Sequence, residues 1–159
     1  MKKLSLFTFI LSSLLMLDCT IENENSVAPS SSFEIDPNDF KGTILDGTIS
    51  LNPSLNYKLT GALVVKEGAT LNIPAGTTIT AAAGTTTSAF IGVERGATIN
   101  ISGTASNPVV MTAETQSAGA WGGLAIAGYG ITNAGVDVTS EVGDLTYGGT
   151  DNTDSSGTI

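Results

Sequence analysis

KEGATLNI at residues 66–73 returns as ERGATINI at residues 94–101, 28 positions on, with Gly, Ala, Thr, Asn and Ile unchanged. Within each copy the apolar residues alternate with polar ones. Ala69, Leu71 and Ile73 are separated by Thr70 and Asn72, and Ala97, Ile99 and Ile101 by Thr98 and Asn100. A period of two is the mark of a strand with one buried face. The match extends upstream at the same spacing, where ALVV at 62–65 aligns with FIGV at 90–93, pairing Leu63 with Ile91 and Val65 with Val93. Downstream, GTTIT at 76–80 matches NPVVMT at 107–112 loosely, after a short insertion.

Each unit therefore carries about three short strands, with glycine corners expected at Gly68, Gly76, Gly96 and Gly103. One such unit has no way to bury its apolar face alone. Stacked on the next, it pairs strand on strand at about 4.8 Å and closes a shared apolar column. Strand units recurring at intervals of 20 to 50 residues indicate a solenoid. That geometry puts Leu71 over Ile99 and Ile73 over Ile101. It also puts Asn72 over Asn100, either as a hydrogen-bonded ladder or as two outward polar residues. Residues 42–61 offer further strands around Ile44 and Ile49 and an entry at Tyr57–Leu59, and WGGLAIAGYG at 121–130 supplies Leu124 and Ile126. Residues 131–156 are rich in turn formers and read as a lateral loop leaving the coil.

The composition agrees with strands and excludes several functions. Charged residues make up 13% of the 159 positions, Gly is 19, His is absent and the net charge is −9. Nucleic-acid binding needs clustered Lys and Arg, and beyond residue 3 the only cations are Lys41, Lys58, Lys66 and Arg95. The lack of His removes the commonest general base and metal ligand. A single Cys rules out an intrachain disulfide.

The N-terminus reads as an address. Lys2 and Lys3 precede a 14-residue apolar stretch, Leu4 to Leu17. That is short of the roughly 20 residues a membrane span needs, so residues 1–18 are read as a signal peptide. Cys19 directly follows and resembles the lipidated cysteine of bacterial lipoproteins, although Asp18 stands where that signal usually has a small residue. Ordinary signal cleavage and a retained anchor are the alternatives. Residues 19–40 are acidic and Ser-rich and read as a flexible tether. Glu22 and Glu24 resemble the acidic export tag of surface lipoproteins in Bacteroidetes, or are simply solvated linker. From Cys19 on, fourteen acidic residues stand against four basic ones. These features predict an exported chain held at the outer membrane or cell surface by an N-terminal lipid, with a secreted or periplasmic chain as the alternative.

YKLTGALVVKEGATLNIPAGTTITA at 57–81, ERGATINISGTASNPVVMTA at 94–113, WGGLAIAGYG at 121–130 and YGGTDNTDSSGTI at 147–159 together resemble a group of Bacteroidetes cell-surface or secreted proteins. The resemblance covers residues 41–159. It implies a right-handed parallel β-helix of the pectate-lyase-like class, here its N-terminal coils, about four in number, with more coils expected beyond Ile159. It implies no particular activity. Lyases of this shape typically use carboxylate-bound Ca²⁺ and an Arg or Lys base, and a glycosidase needs two carboxylates about 5 to 9.5 Å apart.

Against that pattern the candidates are few. Arg95, with Glu67 as its repeat counterpart, and Glu94, with Lys66, read as stacked surface pairs. Asp137, Glu141, Asp144, Asp151 and Asp154 crowd the loop without a diagnostic spacing. Asp144, Asp151, Asn152 and Asp154 are hard oxygen donors that suit Ca²⁺, yet TDNTDSSG lacks both the EF-hand spacing and the calcium β-roll nonapeptide. A solvated acidic turn is the default reading of them. Trp121, Tyr129 and Tyr147 are the candidate ligand contacts, suited to stacking on sugars, with Trp121 alternatively packed at a coil corner. The expectation is a non-catalytic structural, adhesive or ligand-display role toward glycans or surface proteins. The rivals are a carbohydrate-active enzyme with its catalytic coils elsewhere and a non-functional truncated product.

Overall fold

The computed structural model describes residues 33–159. The signal segment, Cys19 and the first part of the tether lie outside the described residues. Twelve strands and no helix make up the described part. The chain winds through four successive coils whose strands pair in parallel with the coil before and the coil after. The first coil holds β1 (Phe40–Ile44) and β2 (Thr48–Ser50). The second holds the long β3 (Asn56–Val65) and β4 (Thr70–Pro74). The third has β5 (Thr78–Ala81), β6 (Thr86–Val93) and β7 (Thr98–Ser102). The fourth has β8 (Val110–Ala113), β9 (Trp121–Ile126) and, after a lateral excursion, β12 (Gly157–Thr158). The excursion carries β10 (Val138–Thr139) and β11 (Thr146–Tyr147), the one antiparallel pair among the described strands.

The repeat sets the register. Leu71 pairs with Ile99, Ile73 with Ile101 and Thr70 with Thr98 in the β4–β7 ladder. Leu63 pairs with Ile91 and Val65 with Val93 in β3–β6. The looser downstream match also holds, with Thr78 against Val110, Ile79 against Met111 and Ala81 against Ala113. In register, inward side chains form continuous columns: Ile49–Leu71–Ile99 on one wall, and Ile44–Val65–Val93 on another. Leu59, Leu63, Val65, Leu71, Ile73, Ile79, Ile91 and Val93 are completely buried. Burial of each large aliphatic side chain in these columns contributes roughly 1.5–3 kcal/mol.

The corners follow one recipe. Lys66–Ala69 and Glu94–Ala97 are β-turns closed by Ala69 N–H to Lys66 C=O at 2.9 Å and Ala97 N–H to Glu94 C=O at 3.0 Å. Their third residues, Gly68 and Gly96, have φ of +82° and +73°, the conformation a type II turn demands and a Cβ resists. Pro74–Thr77, Ala82–Thr85 and Ser117–Ala120 repeat the turn with Gly76, Gly84 and Gly119 in the same place. Two of them are reinforced: the hydroxyls of Thr77 and Thr85 each donate to the carbonyl that opens the turn, both at 2.7 Å. Gly103 is not such a corner. Its φ is not positive; instead a Cβ there would lie 3.0 Å from the Val109 amide nitrogen, so this glycine serves a close backbone approach.

The expected tether of residues 19–40 is too long at its C-terminal end. Phe33 and Ile35 pack against the core and Phe40 is fully buried in β1, with its ring 5.0 Å from that of Tyr57. Asp39 is tied to Lys41 and to Thr60, which holds its carboxyl below the usual range. Residues 33–40 therefore close the first coil. Their alternation of apolar and acidic residues conceals that role, because no repeat partner marks them.

The outward side of the β2–β4–β7–β12 sheet carries the asparagine ladder. Asn100 Nδ2 donates to Asn72 Oδ1 at 2.9 Å, and Asn72 Nδ2 donates to Ser50 Oγ at 3.0 Å. Thr158 Oγ1 donates to Asn100 Oδ1 at 3.3 Å, so one chain of hydrogen bonds runs through all four coils. The offset of 28 residues that aligns two asparagines is what allows the amide of one to serve the next.

Candidate functional site

The fourth coil departs from the pattern between Ile126 and Gly157, where the lateral loop projects. Its neck is a backbone zip: Gly148 N–H to Gly128 C=O, Gly149 N–H to Gly130 C=O and Asp151 N–H to Tyr129 C=O, each at 3.0 Å. Glycine is required here by contact, since a Cβ at Gly149 would lie 2.4 Å from the Tyr129 carbonyl oxygen. Further out, Leu145 closes over the outward face of β6, where a Cβ on Gly92 would come within 3.3 Å of it. Leu145 and Phe90 are both buried there, although neither belongs to the core column. The loop thus makes a small apolar contact of its own on the outside of the stack.

Two clusters of functional groups surround the loop. In the first, the Arg95 guanidinium lies over the Tyr129 ring, 4.7 Å from its centroid. Its Nη1 also donates to Asp137 Oδ1 and to the Gly148 carbonyl, both at 2.6 Å. The Tyr129 hydroxyl donates to Glu67 Oε1 at 3.2 Å, and this bond to a carboxylate raises the phenol above its ordinary value. Lys66 pairs with Glu94 across the neighbouring corners. The stacked pair expected from the repeat therefore forms for Lys66 and Glu94, whereas Arg95 turns away from Glu67 and anchors the loop instead. The reason is competition: the loop offers Arg95 a carboxylate, a carbonyl and a ring face at once. Nothing local in the sequence announces that contact, because Arg95 and Asp137 lie 42 residues apart.

In the second cluster, a cavity of about 470 Å³ opens between the loop neck and the top of the Ile99 column. Ile99, Ile126, Ile131 and Tyr147 line it, together with the Asp154 carboxylate. Asp154 Oδ2 accepts the Tyr129 N–H at 2.7 Å, which fixes the carboxylate against the neck.

The candidate residues are thus dispersed. Trp121 sits in β9, paired with Thr86 and packed against the core. Tyr129 faces the arginine cluster and Tyr147 lines the cavity, so the three aromatic candidates do not form one platform. The four oxygen-donor candidates for Ca²⁺ do not converge either. Asp151 Oδ1 takes the N–H and hydroxyl of Thr153, at 2.8 and 2.7 Å, and these bonds lower its pKa. Asn152 Oδ1 accepts from Ile131 N–H at 3.4 Å, Asp154 serves the neck, and Asp144 occupies a left-handed turn position with φ of +52°. Among the described residues no group of three or more His, Cys, Asp or Glu side chains is placed to hold a metal ion. The ion pairs use all four described cations: Lys41 with Asp39, Lys58 with Glu114, Lys66 with Glu94 and Arg95 with Asp137.

Parallel ladders in three stacked walls, glycine-cornered coils and a laterally inserted loop define a parallel β-helix. A family model for the pectate-lyase-like β-helix domain matches residues 42–159, and the chain belongs to that family. No curated protein and no solved structure matches it.

Proposed function

We propose that this protein is an exported, envelope-anchored β-helix that displays its lateral loop to glycans or proteins at the cell surface, without catalysis by the residues described here. The family name denotes a fold, and a fold of this kind hosts unrelated activities. The observation that carries the reading is the pairing of every described cation with a carboxylate. A lyase base must meet the substrate's proton uncommitted. Arg95, the most enclosed of the four, is spent instead on fixing the loop through three contacts. A stiff stack that holds one loop by specific bonds suits presentation, because ordering the loop in advance lowers the entropy cost of binding.

The address rests on the sequence. The apolar stretch before Cys19, the acidic tether behind it and the likeness to surface lipoproteins support a lipid anchor at Cys19. In cells producing the protein, radiolabelled palmitate is expected to enter the wild-type chain and not a Cys19→Ala variant. External protease on intact cells is expected to remove the β-helix. A chain that takes no label and resists the protease until cells are lysed would overturn the proposal.

A further inference from the structure

A smaller cleft of about 170 Å³ lies where the two repeated corners meet the lateral loop. Glu67, Glu94 and Arg95 line it from coils two and three, and Tyr129 and Thr146 from the loop. Both corners belong to inner rungs: coil two lies between coils one and three, and coil three between coils two and four. The bonds in this cleft leave several groups open. Glu94 gives one oxygen to Lys66, and Glu67 gives one to the Tyr129 hydroxyl. Arg95 spends its Nη1 on Asp137 and Gly148. The second oxygen of each carboxylate, the Nε and Nη2 of Arg95 and the Thr146 hydroxyl make no hydrogen bond among the described residues. Among those residues no buried side-chain nitrogen or oxygen lacks a partner, so the open atoms face solvent. Their side chains are nonetheless held: those of Arg95 and Glu94 are only 18% and 27% exposed.

We propose that this cleft binds one neutral sugar residue of a glycan through a pair of adjacent hydroxyl groups. Each hydroxyl both donates and accepts. The pair would donate to the Glu67 and Glu94 carboxylates and accept from the Arg95 guanidinium and the Thr146 hydroxyl. Charged ligands fit less well. A uronate or phosphate would set its charge against two carboxylates, in a molecule of net charge −9. An ammonium group or a bare metal cation would meet Arg95 and Lys66. A neutral diol uses donors and acceptors together and adds no charge. The volume falls below the roughly 300–1,000 Å³ of sites that enclose a whole small molecule, so the cleft suits one ring of a longer glycan. Arg95 is already fixed by Asp137, Gly148 and the Tyr129 ring, which limits the entropy lost on binding. The proposal rests on the display reading above and narrows its ligand to a glycan.

The test is an NMR titration of the isotope-labelled full chain with the methyl pyranosides of mannose, galactose and glucose, and with galacturonate and glucosamine as charged comparators. At least one neutral pyranoside is expected to shift the amides of Glu67, Arg95 and Thr146 and the Arg95 Nε–H, and galacturonate to leave them in place. Thr146→Val keeps the shape of a side chain whose hydroxyl bonds to nothing else, and is expected to weaken that sugar about fivefold. Glu67→Gln keeps an acceptor for the Tyr129 hydroxyl and removes the charge, and is expected to weaken it about tenfold. Undiminished binding in either variant overturns the proposal, as does a charged sugar that binds as tightly as the best neutral one. Shifts confined to other parts of the chain, or none at all, overturn it too. The titration reads the chain in isolation. A negative result strikes the cleft and leaves palmitate labelling and surface exposure untouched, whereas failure of those two leaves any sugar shifts standing.

Discussion

In coils two and three each inward side chain stands over its own counterpart, Leu63 under Ile91 and Leu71 under Ile99, and the two corners share the same glycine turn. In the loop from Ala127 to Ser156 no residue stacks on a copy of itself. That loop is held by a zipped neck, by Leu145 over Gly92, and by Arg95 and Glu67 reaching from the corners. The stack is stabilised by many equivalent contacts, so loss of one is felt by every coil that leans on it. The loop is stabilised by a few individual contacts, so loss of one should be felt locally. Solenoid energetics, a sum of nearest-neighbour coil interfaces, lead to the same division.

The largest effect is expected from Leu71→Ala. Leu71 is fully buried with Ile49 on one side and Ile99 on the other, and the rigid rungs above and below limit collapse of the cavity. Such truncations cost about 2–5 kcal/mol. Urea unfolding followed by circular dichroism should show a single transition moved to lower denaturant. If instead only amides of the lateral loop lose protection, the proposed division between stack and loop is wrong.

Leu145→Ala tests the opposite half. It removes a buried apolar side chain that lies over Gly92 beside Phe90, and the cost should fall on the loop alone. Hydrogen exchange is the measurement: amides of residues 131–147 should open faster, while those of β4 and β7 keep their protection. Gly143→Ala should do the same by another route. A Cβ at Gly143 would lie 2.3 Å from the Phe90 ring, so the loop has to lift to make room. A global loss of protection in both variants would mean that the loop is a part of the core.

How far each half was legible follows from the same contrast. The repeat of KEGATLNI in ERGATINI fixes strands, register and corners together, because one offset has to satisfy all of them. The corner rule extends beyond the repeat. Gly84 and Gly119 sit in the same turn as Gly68, and the signal was available: glycine followed by Ala or Thr at each of the five corners. The packing of Phe33 and Ile35 leaves no periodic signal, because they have no counterpart in another coil. The repeat pairs Arg95 with the turn position of Glu67, yet its partners are Asp137 and Gly148. Contacts between a repeat and an insertion leave no periodic trace. The same holds for the cavity, which depends on Gly157 arriving beside Ile99 after the whole excursion.

A smaller effect is expected along the asparagine ladder. Asn100→Ala breaks the bonds to Asn72 and to Thr158, and for a partly exposed pair the cost is about 1 kcal/mol. Asn100→Asp should cost more. It sets a carboxylate against the Asn72 carbonyl oxygen, acceptor facing acceptor, where the native amide donates. Urea midpoints of the two variants decide the order. An Asp variant as stable as wild type would show that the ladder is decorative and the apolar columns alone set the register.

The smallest effect, and the most specific to the loop, is the ionisation of Tyr129. Its hydrogen bond to Glu67 favours the protonated phenol and raises its pKa above the ordinary value of 10.0. A folded-state value above the unfolded one means that the contribution to stability is fully present below pH 10. It is lost as the pH rises through the folded value. The loop neck should therefore hold through neutral and mildly alkaline conditions and loosen only beyond the ordinary phenol range. Ring-labelled tyrosine NMR can follow Tyr129 separately from Tyr57 and Tyr147. Glu67→Ala should bring the Tyr129 titration back toward the ordinary value while leaving the urea midpoint of the stack unchanged, since Glu67 is exposed at its corner. If the titration does not move, the bond from corner to loop is absent in solution. Arg95 would then be the remaining side-chain link between the repeated corners and the loop.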